Sequence, residues 1–195
     1  MTPDLLLALG PVVDAIEALG IRYFVGGSVA SSAHGVPRAS LDADLVADLG
    51  PEHVAPLVAR LQEAYYVDEG RARAAVVSRR SFNLIHLATM FKIDVFAMKQ
   101  RPFDRQALER ARPEPLDDAA DARRFPVASA EDTVLAKLEW FRAGGEASER
   151  QWLDVVGVLK TAWPQVDRVH LQRWALAIGV ADLLERALAE ASAGA

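Results

Sequence analysis

Gly26-Gly27-Ser28 and, fourteen positions after its serine, Asp42 within Leu41-Asp42-Ala43-Asp44-Leu45 decide how this chain is read. In the second stretch the period-2 geometry of a strand sends Leu41, Ala43 and Leu45 toward a core and both aspartates to the opposite face. Two like charges roughly 7 Å apart along a strand gain nothing structurally and repel unless a cation lies between them. Magnesium suits such a pair, because it takes hard oxygen ligands on rigid elements and leaves its other positions to substrate phosphates. A third acid follows in Phe91-Lys92-Ile93-Asp94-Val95-Phe96. Asp94 stands inside a strongly apolar strand, where an unpaired ionised carboxylate is costly, so it is expected to face the same ions.

The glycine-serine turn lies between a strand and a helix. Without a Cβ, backbone N–H groups and the helix N-terminus come close to a phosphate, and Ser28 adds a hydroxyl. The separation of Ser28 from Asp42 leaves room for one short helix and a return strand, so both elements line one cleft. Arg38 lies in that return and is placed to reach a phosphate.

Working outward, residues 3 to 19 read as helix with Thr2 and Pro3 at its start and a break at Gly10-Pro11. Ile21 to Val25 reads as a strand, Val29 to Ala33 as a short helix closed by Gly35, Leu41 to Val46 as a strand and Glu52 to Ala64 as a helix. Tyr65 to Val67 is a short strand, and Phe82 to Thr89 with Phe91 to Met98 form a hairpin. Residues 112 to 128, rich in Pro, Asp and Ala, read as an irregular connection. From Ser129 the pattern is helical, and Ser129 with Asp132 and Ser148 with Gln151 match capping boxes. The expected class is α+β, with a core over residues 1–128 and a helical lobe over 129–195.

Composition narrows the chemistry. The chain has 195 residues, 51% hydrophobic and 25% charged, the balance of a soluble globular protein. Asp4 and Asp14 interrupt the first twenty residues, so no secretory signal is read and the cytoplasm is the expected compartment, with no membrane partner. Zero cysteines exclude disulfides, thiolate metal sites and cysteine nucleophiles, and the four histidines lack the close pairing of a zinc helix. The net charge of -5 argues against broad nonspecific nucleic-acid binding. His34 reads as a capping or packing residue. The four tryptophans, 140, 152, 163 and 174, read as core of the helical lobe. The arginines at 71, 73, 79 and 80 share no helical face and read as solvated surface.

Gly26-Gly27-Ser28, Asp42-x-Asp44 and a later strand aspartate, Asp94, together resemble the signature of the polymerase-beta-like nucleotidyltransferase superfamily, over roughly residues 20 to 98. Lys137 in a helix and Arg150-x-x-x-Asp154 resemble, in particular, the helical motifs of the AbiEii-like bacterial nucleotidyltransferases. The resemblance implies a nucleotidyltransferase core of mixed sheet and flanking helices, with a carboxyl-terminal helical lobe. It implies a triphosphate held at Gly26, Gly27 and Ser28 with help from Arg38, Lys137 and Asp154. It also implies two Mg2+ ions, with Mn2+ an alternative, on Asp42, Asp44 and Asp94, and attack of a hydroxyl on the α-phosphate with release of pyrophosphate. The acceptor is left open among tRNA, other RNA, a protein and a small molecule, and a toxin role implies a cognate antitoxin.

Other readings compete. Lys137 lies at the edge of the stripe Val134, Leu135, Leu138 and Phe141, where a lysine often only snorkels, and Asp154 can equally pair with Arg150 one turn earlier. A non-catalytic nucleotide-binding regulatory module and a metal-dependent phosphodiesterase or nuclease are the alternative functions.

Overall fold

A computed structural model describes residues 3–117, 119 and 121–193. Thr2, expected at the first helix start, lies outside them. The first helix, α1 (Pro3–Ala18), runs through Pro11 without the expected break. A proline inside a helix costs roughly 3 kcal/mol. Here the stripe Leu5, Ala8, Leu9, Val12, Val13 and Ile16 is almost completely buried, and at about 25 cal/mol per Å² that burial outweighs the local cost.

β1 (Tyr23–Val25) leads into α2 (Gly27–His34) and back through β2 (Asp42–Ala47). Then come α3 (Pro51–Leu61), β3 (Tyr65–Tyr66), α4 (Glu69–Val77), β4 (Ser81–His86), β5 (Lys92–Ala97) and α5 (Pro102–Arg110). The helix α4 falls where the sequence predicts only solvated arginines. Asp68 caps it by accepting from the Arg71 backbone N–H, and Ala72, Ala75 and Val76 turn inward, residues too small to announce an amphipathic stripe. Arg71 and Arg73 do stand exposed.

The segment read as irregular contains β6 (Arg112–Pro115) and β7 (Arg124–Val127), an antiparallel pair. Prolines at 113, 115 and 126 hide it in the sequence, since proline cannot donate to a ladder. They are tolerated because β6 is an edge strand and β7 meets β1 only at Val25 and Val127. The seven-stranded mixed sheet runs β3-β4-β5-β2-β1-β7-β6.

β2 and β5 lie parallel in the middle of the sheet, and their registers decide the site. Ala43, Leu45 and Ala47 with Ile93, Val95 and Ala97 are buried on the face that α1, α3 and α4 cover. Leu41, expected on that face, precedes the strand and is 88% exposed. The opposite face carries the acids.

Over that second face lie α6 (Ala130–Ala143) and α7 (Glu149–Ala162), with α8 (Arg168–Ala177) and α9 (Ala181–Ala193) behind them. Ser129 and Ser148 cap α6 and α7 by accepting from the backbone N–H of Asp132 and Gln151. One apolar cluster runs from Leu5 to Ala128 and a second gathers Phe103 with residues from Val134 to Ala191. The helix α2 touches both α6 and α7, and α5 gives Phe103 to one cluster and Ala107 and Leu108 to the other. His34 ties these parts through a 2.7 Å hydrogen bond between Nε2 and the Ala128 carbonyl, the packing role expected of it. Among the described residues no helix is long and apolar enough to cross a membrane.

Candidate active site

Parallel pairing sets Asp44 directly opposite Asp94 and Asp42 opposite Lys92. Since facing residues in register share a side of the sheet, all three carboxylates stand on the face toward α6 and α7. β4 adds Asn83 beside Asp94 on that face.

Each acid has a different setting. Asp44 is the most enclosed: burial first, then the charges of Asp94 and Asp42, push its carboxyl up to about 6, against the opposing pull of Lys137 and the Ser28 backbone N–H. Asp42 accepts at Oδ1 from the Ser40 hydroxyl at 2.8 Å. Asp94 Oδ2 lies 2.7 Å from the Lys92 ammonium, which is also 3.9 Å from Asp42 Oδ2. Lys92 is thus the counter-charge that an aspartate in an apolar strand demands, and strand alternation alone, Lys92 and Asp94 two apart, was the signal for it.

The glycine turn borders this trio. The Gly26 N–H bonds the Asp44 carbonyl at 2.9 Å, locking β1 to β2 at that point. Gly27 has φ of +54°, a left-handed conformation natural to glycine, and a Cβ there would collide with the Asp44 carboxylate. Ser28 is buried, and its hydroxyl bonds Ser40 at 2.8 Å, linking the turn to Asp42.

Lys137, Arg38 and Asp154 form one partly buried network. Lys137 Nζ donates to Asp154 Oδ2 at 2.8 Å, and Arg38 donates from Nε to Oδ1 at 3.0 Å and from Nη2 to Oδ2 at 2.9 Å. Burial pushes the Asp154 carboxyl up, but the hydrogen bonds from Arg38 and Lys137 win and hold it below the ordinary carboxylate range. Arg150, the partner proposed from helical spacing, is exposed; Asp154 instead takes cations from two other elements. The Arg38 Nη1 is buried and has no hydrogen-bond partner among the described residues.

Beyond Asp44 opens a cavity of about 670 Å³ between sheet and helical lobe. Gly26, Gly27, Asp44 and Lys137 lie at one end; Phe24, Val46, Phe96, Phe103 and Trp140 supply apolar walls, and Arg80 and Lys99 add positive charge. Phe24, Val46 and Phe96 are cross-strand neighbours on the carboxylate face. Trp140 is not the core residue expected: it is 53% exposed and packs edge-on to Phe96 with centroids 5.9 Å apart, whereas Trp152 and Trp174 are buried. Its position on α6 outside the Val134–Leu138–Phe141 stripe was the available signal. Arg79, also read as surface, folds back with φ of 52° and donates to the Leu49 and Met98 carbonyls.

The three carboxylates are the hard oxygen donors a divalent cation takes, and their mutual repulsion gives it a place. Yet among the described residues no three acids or imidazoles converge on a common point, and Lys92 stands in the gap between Asp42 and Asp94. The donor set fits a divalent ion beside Asp44, while the rest of the trio is already partly neutralised.

The sequence matches no protein-family model and no curated protein. In three dimensions the chain is similar to the solution structure of the antibiotic-resistance factor ANT(2'')-Ia, with a TM-score of 0.58 and 14% identity over 95% of this chain and 98% of that one. It is similar to ANT(2'')-Ia in complex with adenylyl-2''-tobramycin, with a TM-score of 0.55 and 12% identity over 90% and 97% of the two chains. An antigenic nucleotidyltransferase-like protein from Paracoccidioides brasiliensis gives 0.53 and 16% identity over 96% and 94%. These likenesses show that the chain has the α+β nucleotidyltransferase fold, a mixed sheet with flanking helices followed by carboxyl-terminal helices.

Proposed function

We propose that this protein is a nucleotidyltransferase that moves a nucleoside monophosphate from a nucleoside triphosphate to a hydroxyl of a small molecule. The observation that carries it is the pairing of Asp44 with Asp94, where Asp44 lines a half-open cavity together with Gly26 and Gly27 of the glycine turn. Small-molecule sites are typically about 300–1,000 Å³ and mostly apolar, and this cavity has that size and lining. A similar fold in ANT(2'')-Ia holds adenylyl-2''-tobramycin, an adenylylated small molecule, which supports the same acceptor class here.

Gly27 lets the backbone approach the triphosphate, and Arg38 and Lys137 offset its charge, with the free Arg38 Nη1 as one donor. Asp154, both oxygens taken by these cations, is assigned to orienting them rather than to touching the anion. Asp42 and Asp44 would hold a Mg2+ or Mn2+ ion, which would supply charge stabilisation at the phosphates. Asp94 accepts the proton of the attacking hydroxyl. The new bond joins that oxygen to the α-phosphorus, the bond from the α-phosphorus to the bridging oxygen breaks, and pyrophosphate leaves.

The test supplies each labelled triphosphate with magnesium to wild type and Asp94→Asn, together with a small-molecule filtrate of a cell extract, total RNA or total protein. Pyrophosphate release and label in the filtrate arm, lost in Asp94→Asn, are expected. Label in RNA or protein would favour the AbiEii-like toxin reading, and release of nucleoside monophosphates from RNA alone would favour a nuclease.

A further inference from the structure

We propose that the Lys92 ammonium takes the place of one of the two divalent ions that a carboxylate trio of this kind would hold, so that the site takes a single ion with the triphosphate. The inference rests on the nucleotidyltransferase reading and narrows its metal chemistry.

Three observations converge on it. The pairing register puts Lys92 of β5 opposite Asp42 of β2 on the carboxylate face, next to the strand that carries Asp42 and Asp44. Its ammonium bridges Asp94 Oδ2 at 2.7 Å and Asp42 Oδ2 at 3.9 Å, the two carboxylates that an ion near the attacking hydroxyl would have to join. Among the described residues, no three acids close around a common point.

Charge points the same way. Three carboxylates and one ammonium leave two net negative charges, which a single divalent ion neutralises. A second ion, about 2.1 Å from the same Asp94 and Asp42 oxygens, would be pressed against the ammonium in a partly enclosed cleft. Asp44, opposite Asp94 in register and packed against Gly27, has no ion pair with Lys92 and is the carboxylate left for the remaining ion. Asp42 is already oriented toward the trio by Ser40, itself bonded to Ser28 of the turn.

The experiment counts ions rather than turnover. Mn2+ is titrated into the full-length protein saturated with a nonhydrolysable α,β-methylene triphosphate, and bound Mn2+ per chain is read by electron paramagnetic resonance and calorimetry. Wild type is expected to bind one ion, and Lys92→Met and Lys92→Gln, which keep the stem and remove the charge, to bind two. Thermal melts check that both variants fold, which the 39% exposed side chain favours. Two ions on wild type, or one on every protein, would overturn the assignment while leaving the nucleotidyltransferase reading intact. No ion on any of them would sink that reading as well.

Discussion

Gly27 and Asp44 are packed so tightly that a Cβ on the glycine would lie inside the aspartate's carboxyl group. The glycine's first task is thus to leave room for Asp44 in a left-handed turn, and phosphate approach comes with it. Gly27→Ala must therefore shift the carboxylate and absorb about 1–2 kcal/mol of backbone strain. The variant is expected to fold with a lowered melting temperature, and to lose triphosphate affinity and transfer by at least about tenfold. Calorimetric binding of a nonhydrolysable triphosphate checks this, and wild-type affinity in the variant would show that the collision is relieved elsewhere.

Asp44 also sets a pH dependence. Its folded-state value of about 6 lies above its ordinary 3.8, so its contribution to stability is fully present below the lower value and is lost as pH rises through the upper one. In chelator, the protein is expected to be more stable near pH 5 than near pH 7 by about 1 kcal/mol from this group. Asp44→Asn should flatten that part of the profile and be as stable as wild type, or more so, near pH 7, while transfer falls by orders of magnitude. Thermal melts across this range decide it: a clearly destabilised metal-free Asp44→Asn would mean the carboxylate is structurally held.

The Asp154 network should respond asymmetrically. Asp154→Ala leaves Lys137, 8% exposed, and Arg38 without their anion, and removing one partner of a buried pair typically costs about 3–5 kcal/mol. Lys137→Met leaves Asp154 its two hydrogen bonds from Arg38 and should cost less. Both are expected to weaken triphosphate binding. Denaturant unfolding ranks the two, and equal losses would show that Arg38 alone does not satisfy Asp154.

Trp140 separates acceptor binding from folding. Its ring is half in solvent and touches Phe96 at the cavity wall, so Trp140→Ala should change stability by less than about 1 kcal/mol. With an acceptor identified, KM for that acceptor is expected to rise about tenfold, with KM for the triphosphate unchanged. A change confined to the triphosphate would place the nucleobase, not the acceptor, against Trp140.

What the sequence determined by itself was whatever depends on neighbours along the chain. Alternation over residues 42–47 and 92–97 separates acids from core because strand side chains repeat every two residues, and the structure keeps that separation. The serines at 129 and 148 announce helix starts because a cap acts three residues ahead. Tertiary structure alone decided what depends on distant partners. Pro11 stays helical because the whole stripe around it is buried, and the proline-rich strands β6 and β7 exist because β1 offers an edge. Asp154 belongs to Arg38, 116 positions away, rather than to Arg150 one turn earlier. Lys92 meets Asp42 only through the parallel register of β2 and β5. An ion pair is chosen by which charges share a desolvated space, and chain separation carries no record of that until the sheet and the helical lobe close around it.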